Sequence, residues 1–516
     1  MRGVVHMTTA AMIILVTIMV YLFCMLIIGF VCSKKNETTA DFYLGGRKLG
    51  PFVTAMSAEA SDMSSWLLMG LPGVAYLTGL ADAFWTAAGL AIGTYVNWLI
   101  VAKRLRTYTV KCNNSTTIPV FFSNRYRDDK KILSVLAALV IIVFFVPYTA
   151  SGFAACGKLF STLFGMEYFV AMVISAIIIV GYTALGGFLA ASTTDFMQSI
   201  VMTIAIFVVL GFGVVTSGGM DAVMDNANSL AGYFSLTAIH DPATKTAGAY
   251  GIMSIFSMLA WGLGYFGMPH VLLRFMAIED PNKLKLSRRI ATVWVVISLG
   301  VAIMIGIVGS AMTKAGVIPV LDDAETIIVV ISDVISKYGV LPAIVAGLIL
   351  SGILAATMST ADSQLLAASS SVSENIIKEV FFKNLSEKAG MIIARVSVVI
   401  ISVIAVFIAK DPNSSVFDIV SFAWAGFGAA FGPVMLLALF WKRSNKWGAL
   451  AGMFAGGAMV FIWKFLIKPI GGVWGIYELL PAFLVALAVN VVISLLTKAP
   501  SQDMLDEFEA VKAECK

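Results

Sequence analysis

A run of about 20 apolar residues can cross a bilayer as one helix, and this chain has thirteen such runs. They lie roughly at 8–32, 52–78, 81–103, 132–164, 166–188, 193–217, 247–276, 289–313, 338–372, 391–409, 417–441, 447–467 and 474–497. Lipid offers a backbone no hydrogen bonds, so a spanning chain must pair internally, as helices or as a closed barrel. Ten-residue segments of alternating polarity, the barrel signature, do not occur. The sequence therefore predicts an all-α polytopic membrane protein with about 13 transmembrane helices. Its charged fraction of 13% over 516 residues is half the roughly 25% of a soluble domain, which agrees.

Lysine and arginine set the orientation, because they gather on the cytoplasmic side. With the N-terminus outside, the inner segments hold 27 of the 35 lysines and arginines, so the C-terminus is expected to be cytoplasmic. No Ala-x-Ala site flanks the first run, which is therefore expected to remain as a span. The basic loops read as orientation signals, not as a nucleic-acid surface.

Polar residues inside the apolar runs carry the functional information. The stretch Ser57 to Gly73, SAEASDMSSWLLMGLPG, places Glu59 and Asp62 in a span together with Ser57, Ser61, Ser64 and Ser65. A membrane-embedded acid costs roughly 2.5–3.5 kcal/mol on insertion scales, so a positive charge must compensate it. With Lys158 and Arg274 counted among the loop residues at the ends of their spans, Lys464 is the one basic residue counted within a span, and the compensation is expected from a bound cation. An unwound turn near Asp62 would add carbonyl oxygens, which hard cations prefer. Ser351 to Ser371 supplies further oxygens at Ser359, Thr360 and Ser363, with another acid at Asp362. Trp261, Tyr265 and Pro269 recur every four residues in WGLGYFGMPH, and its glycines are expected to leave room there for a small ligand. Asp195 sits at the inner mouth of the sixth run, either paired with basic loops or guiding a cation out.

Two runs are interrupted: 52–78 at Gly70, Pro72 and Gly73, and 247–276 at Gly262, Gly264, Gly267 and Pro269. They lie five spans apart and run in opposite directions, which is the pattern of an inverted-repeat transporter. The expected organisation is a membrane domain over 1–500, with repeats at about 51–217 and 247–441, and a short tail over 501–516. The outer loops 218–246 and 314–337 are either lids or ordinary solvated loops. The five scattered cysteines form no CxxC pair. HExxH, a P-loop and a TVGYG filter are all missing, so zinc proteolysis, ATP-driven transport and potassium conduction lack their parts. No nucleophile–base set supports an enzyme.

SAEASDMSSWLLMGLPG, GGFLAASTTDFMQS, AWGLGYFGMPHVLLRFMA, ILAATMSTADSQLL and SFAWAGFGAAFGPVMLLALFWKR together resemble the sodium/solute symporter family, in its proline branch. The likeness extends from about Asp41 to Lys498. It implies a plasma-membrane symporter that imports L-proline with sodium by alternating access, with five-helix inverted repeats, discontinuous helices, no bound cofactor and no obligatory protein partner. It further implies a sodium site at the carbonyls of Ala60, Met63 and Ala356 and the hydroxyls of Ser359 and Thr360, with Asp62 and Ser64 beside it. Tyr148, Trp261, Tyr265 and Pro269 match proline-binding positions, and Arg47 and Asp195 match residues of coupling and sodium release. Glu59 stands where the branch often has a small residue, and Asp362 exceeds the minimum hydroxyl set. Both are extra ionisable groups, and proton coupling through Glu59 is the alternative they raise. The other readings are a different solute (another amino acid, pantothenate, a monocarboxylate or a sugar) and a membrane solute sensor.

Overall fold

The computed structural model describes residues 8–33, 38–382 and 386–515. Its main helices, in order, are α1 (Thr9–Ser33), α2 (Pro51–Ser65), α3 (Leu71–Thr78), α4 (Leu80–Val96), α5 (Ala102–Lys111), α6 (Ile118–Arg125), α7 (Ile132–Phe164) and α8 (Tyr168–Thr216). Then follow α9 (Ile252–Leu259), α10 (Pro269–Ala277), α11 (Leu284–Lys314), α12 (Ile327–Ser336), α13 (Val340–Ser370), α14 (Glu387–Ile408), α15 (Val416–Phe440), α16 (Lys446–Ile462), α17 (Leu479–Leu496) and α18 (Gln502–Glu514). Among the described residues ten helices are long and apolar enough to cross a membrane, and the bent pair over 252–277 makes eleven. The broken helix α2–α3 and the apolar half of α8, Tyr168–Gly181, fill the two remaining places in the series of thirteen. The fifth and sixth spans meet at Gly187, whose φ of 66° bends α8. Such a left-handed φ suits glycine, which has no Cβ to clash.

Both interrupted spans are broken, the second at the residues the sequence suggested and the first at the turn expected near Asp62, short of Gly70, Pro72 and Gly73. The first turns at Ser64, with φ 49° and ψ −172°. Pro72 sits in the first turn of α3, where a missing N–H costs nothing. Gly70 and Gly73 serve contact instead: a Cβ on Gly70 would press on Trp66 and Phe417, and one on Gly73 would press on the backbone of Ala324 and Glu325. In the second span α9 tightens into a 3-10 stretch, Ala260–Phe266, and α10 departs at 44° from Pro269.

The side chains of α13 are buried continuously from Ile349 to Ser370. Its small residues, SGILAATMSTADSQLLAASS, let α1, α2, α7 and α8 approach closely, the usual basis of helix packing in lipid. Loop 218–246 carries a short helix, Met220–Ser229, and the first strand of an antiparallel hairpin, Ala238–Asp241 paired with Thr246–Ala249. Loop 314–337 contains α12 and buries Glu325.

Candidate functional site

A helix leaves its last four carbonyls without intrahelical donors, and the break at Ser64 creates such an end in mid-membrane. Ser359 Oγ, from α13, lies 2.8 Å from the Ala60 carbonyl and 3.1 Å from the Ala356 carbonyl. Three of the five oxygens expected around sodium therefore meet. Thr360 Oγ1 is buried beside them with no partner. Met63 O instead accepts from Trp66 N, and Ser64 Oγ accepts the same N–H at 3.0 Å, capping the resumed helix. The cluster consists of neutral oxygens, the donor set a small hard cation takes.

The Asp62 carboxylate engages an aromatic chamber. Its Oδ2 accepts from Tyr265 OH at 2.6 Å, while its buried Oδ1 has no partner. Tyr148 OH donates to the Asp62 carbonyl at 3.2 Å. Asp62, Met63, Trp66, Leu90, Tyr148, Trp261, Val420 and Trp424 enclose a cavity of about 10 Å³, room for about one water. Trp261 stacks on Tyr477 at 5.0 Å, and its ring centre lies 5.4 Å from that of Trp66 and 5.5 Å from that of Phe417. The glycines of WGLGYFG do not leave room for a ligand, contrary to the sequence reading. A Cβ on Gly264 would meet Trp424 Nε1 at 2.0 Å, one on Gly262 would meet Gly89 O at 2.2 Å, and one on Gly267 would meet Phe427 O at 2.1 Å. These glycines draw neighbouring helices together, and a ligand must part aromatic rings to enter. Pro269 opens α10 and lies outside the cavity lining.

Near the start of α2 and the end of α10 the structure supplies the fixed cation that sequence reasoning left out. Arg274, on α10, is 1% exposed and donates to Asp195 Oδ2 at 3.0 Å, Ser57 Oγ at 3.0 Å, Ser363 Oγ at 2.6 Å and His270 O at 3.0 Å. Counting Arg274 among the basic loop residues hid it. Its signal was its position in PHVLLRFMA, an apolar stretch one turn past His270. Asp195 is thus paired with a buried arginine and not with the basic loops, and Ser57 Oγ donates to it at 2.7 Å. Asp362 Oδ1 accepts from Ser363 Oγ at 3.0 Å, close to the same network. Glu59 Oε1 accepts from Trp98 Nε1 at 2.8 Å, and its Oε2 is buried without a partner. Arg47 lies apart from Asp195 and the sodium oxygens, bonded to Met276 O, Ser115 O, Asn114 and Thr109.

Above the aromatic chamber a vestibule of about 420 Å³ reaches down to Gly70 and Phe417. Lys158 spans its wall to Asp323 at 2.8 Å and Glu325 at 2.7 Å. Glu325 also accepts from Ser415 Oγ and from the N–H groups of Val416 and Phe417, so it caps the helix that carries Phe417, Val420 and Trp424. Trp66, Phe417, Val420, Trp424 and Tyr477 were missed as site residues. Their one sequence signal was a concentration of aromatics in otherwise small-residue spans.

The family model described as "Sodium:solute symporter family" matches residues 42–456. The chain is 43% identical to the high-affinity proline transporter PutP of Bacillus subtilis, over 94% of this chain and 98% of that protein. It is 40% identical to the osmoregulated proline transporter OpuE of the same organism, over 95% and 96%. Among solved structures, a Na+-coupled sialic acid symporter in a substrate-bound, outward-open state superposes with a TM-score of 0.77. That match has 16% identity and covers 95% of this chain and 99% of that one, a likeness of fold.

Proposed function

The chain belongs to the sodium:solute symporter family, and from that premise we propose that it imports L-proline by symport with sodium. It is a multi-pass membrane transporter, not an enzyme, and sodium is its co-transported ion, not a resident cofactor. The observation that carries the reading is the meeting of Ser359 Oγ with the carbonyls of Ala60 and Ala356 at the break in α2, immediately beside an aromatic chamber that Asp62 enters. The two proline-transporting relatives support the choice of solute.

In this reading sodium takes the oxygens of Ala60, Ala356, Ser359 and Thr360, and neighbouring Met63 once its carbonyl is released from Trp66. Asp62 supplies the negative charge nearby, and Ser64 fixes the break. Proline packs its ring among Tyr148, Trp261 and Tyr265, and Pro269 sets the second break. Asp195 and Arg274 close the inner path, and Arg47 braces it. The N-terminus lies outside, the C-terminus is cytoplasmic, and the repeats run over about 51–217 and 247–441. Each sodium that crosses gains about 2.3 kcal/mol per 100 mV, which drives the solute uphill.

Radiolabelled L-proline uptake into proteoliposomes tests this directly. An inward sodium gradient is expected to drive accumulation, and an equal potassium gradient is not. Equal uptake with both ions would remove sodium, and failure of excess unlabelled proline to compete would remove the solute. Trp261→Phe narrows the stacking face and is expected to raise the proline KM about three- to tenfold, with sodium half-saturation unchanged within about twofold. An unchanged proline KM would leave Trp261 as packing.

Glu59 bears on proton coupling, the second reading, because its Oε2 is buried and bare. Glu59→Gln keeps an oxygen for Trp98 Nε1 and loses the titratable proton. Sodium-driven uptake is expected to stay within about twofold, the size of a small hydrogen-bond change. A drop beyond tenfold, with uptake in Glu59-containing protein following a pH gradient without sodium, would make Glu59 the proton carrier.

A further inference from the structure

The tail was expected to be a short cytoplasmic extension, yet α18 is docked. Met504, Phe508 and Val511, spaced four and three apart, are buried on one face, and that face packs on α5. The Phe508 ring lies 4.9 Å below the Arg104 guanidinium and 5.6 Å from that of Arg125. Arg127 forks onto Asp503 and Glu507, each at 3.0 Å, and Lys111 pairs with Glu514 at 2.8 Å. The charges match broadly too: residues 501–516 hold five acids and two lysines, against eight basic residues over 103–131.

The segment beneath α18, made of α5, α6 and the turn between them, grips the neighbouring ends of both broken spans. Arg106 Nε donates to Ile278 O at 2.8 Å, just past the end of α10. Arg47, just before α2, ties Ser115 O at 2.7 Å to Met276 O at 2.6 Å. Between them Leu49 N donates to Ala277 O and Leu49 O accepts from Glu279 N, zipping the start of α2 to the end of α10. An inward opening must part this zipper, and the segment that clamps it is held on its far side by α18.

We propose that α18 is a cytoplasmic strap that slows inward opening, and that rising ionic strength on that side loosens it. The ion pairs are the adjustable part. Asp503 is 61% exposed and Glu514 55%, so salt screens them, with a Debye length of about 10 Å at 0.1 M. Phe508, buried against α5, is screened far less than the exposed pairs and keeps the helix tethered, which makes the change reversible. Loss of water from the cell would then raise the import rate through the protein itself.

The proposal rests on the import reading, so sodium-driven proline uptake by full-length wild-type protein at low internal salt is established first. Proteoliposomes whose interior faces the cytoplasmic side are then loaded with KCl at about 50 or about 300 mM, a range that more than halves the Debye length, with osmolality balanced by sucrose. The wild-type initial rate is expected to rise about threefold, the size of a few weakened surface pairs. Arg127→Gln is expected to start high and rise by less than about twofold. Lys111→Glu is expected to raise the low-salt rate, and adding Glu514→Lys to restore it. Melting temperatures of the purified variants, expected to match wild type, separate release from misfolding. A flat wild-type response, an undiminished response in Arg127→Gln, or slower low-salt uptake by a folded Arg127→Gln would overturn the strap while leaving sodium-driven import intact.

Discussion

Asp62→Asn is expected to raise the sodium concentration needed for half-maximal uptake by about a hundredfold, with uptake at ordinary sodium close to background. The oxygens from Ala60, Ala356 and Ser359 are all neutral, so the pull on a cation must come from a charge nearby. At roughly 6 Å and an effective dielectric of about 20, one carboxylate contributes about 3 kcal/mol, and 1.4 kcal/mol is tenfold in affinity. Asn keeps an acceptor for Tyr265 OH, which donates at 2.6 Å, so the fold and the cavity wall persist. Sodium titration of proline uptake makes the measurement, with sodium-dependent tryptophan fluorescence as a check free of transport. A half-saturation within threefold of wild type would free Asp62 from ion binding. Because its bare Oδ1 lines the chamber, a large rise in proline KM alone would assign it to the ammonium of the solute.

How legible this was depended on which force set each feature. Hydropathy revealed the spans because the bilayer imposes one length on each, and the positions of α1, α7 and α11 follow the apolar runs closely. The meeting of Ala60, Ala356 and Ser359 was legible through the resemblance alone, since nothing in either segment's own pattern says that α13 lies against α2. The first break was anticipated near Asp62 from the need for carbonyl oxygens, but not from the helix-breaking residues. Gly70, Pro72 and Gly73 look like helix breakers, yet the turn falls at Ser64, a residue with no intrinsic liking for positive φ. The neighbouring helices and the Ser64 Oγ cap hold it there. Backbone held off its preferred region by tertiary contacts marks functional sites more often than weak helix formers do.

The reading of the glycines failed for a related reason. In water a glycine cluster suggests looseness. In a helix bundle it permits contact, and Gly262, Gly264 and Gly267 each face backbone or an indole at distances no Cβ could occupy. The chamber between the broken spans is consequently tight, with a wide vestibule on one side and the bonded Arg274–Asp195 cluster on the other. Glu325 shows the same limit in a loop. The sequence left its loop open between a lid and a solvated surface, and the structure buries Glu325 against Lys158 and the first turn of α15.

Arg274 and Asp195 define the second large effect. Either single replacement, Arg274→Met or Asp195→Leu, is expected to lower stability by about 3–5 kcal/mol, the cost of leaving one buried charge without its partner. The double replacement removes both charges and is expected to recover most of that loss, since an apolar pair of similar volume is often as stable as a buried ion pair. Thermal unfolding of the four proteins in one detergent gives the coupling, and single variants within about 1 kcal/mol of wild type would contradict a dry pair. Transport then separates the roles. Arg274 bonds to Ser57 on α2, Asp195 on α8 and Ser363 on α13 while sitting on α10, so it joins both broken spans to the helix that carries Ser359. If the pair only holds the bundle together, the stable double variant transports normally. If it is the inner closure, the double variant folds, binds proline, and admits a cytoplasmic-side thiol reagent to a cysteine placed at Ser57 faster than wild type does. The second result is expected, because three of the four donor bonds of Arg274 cross from α10 to α2, α8 and α13.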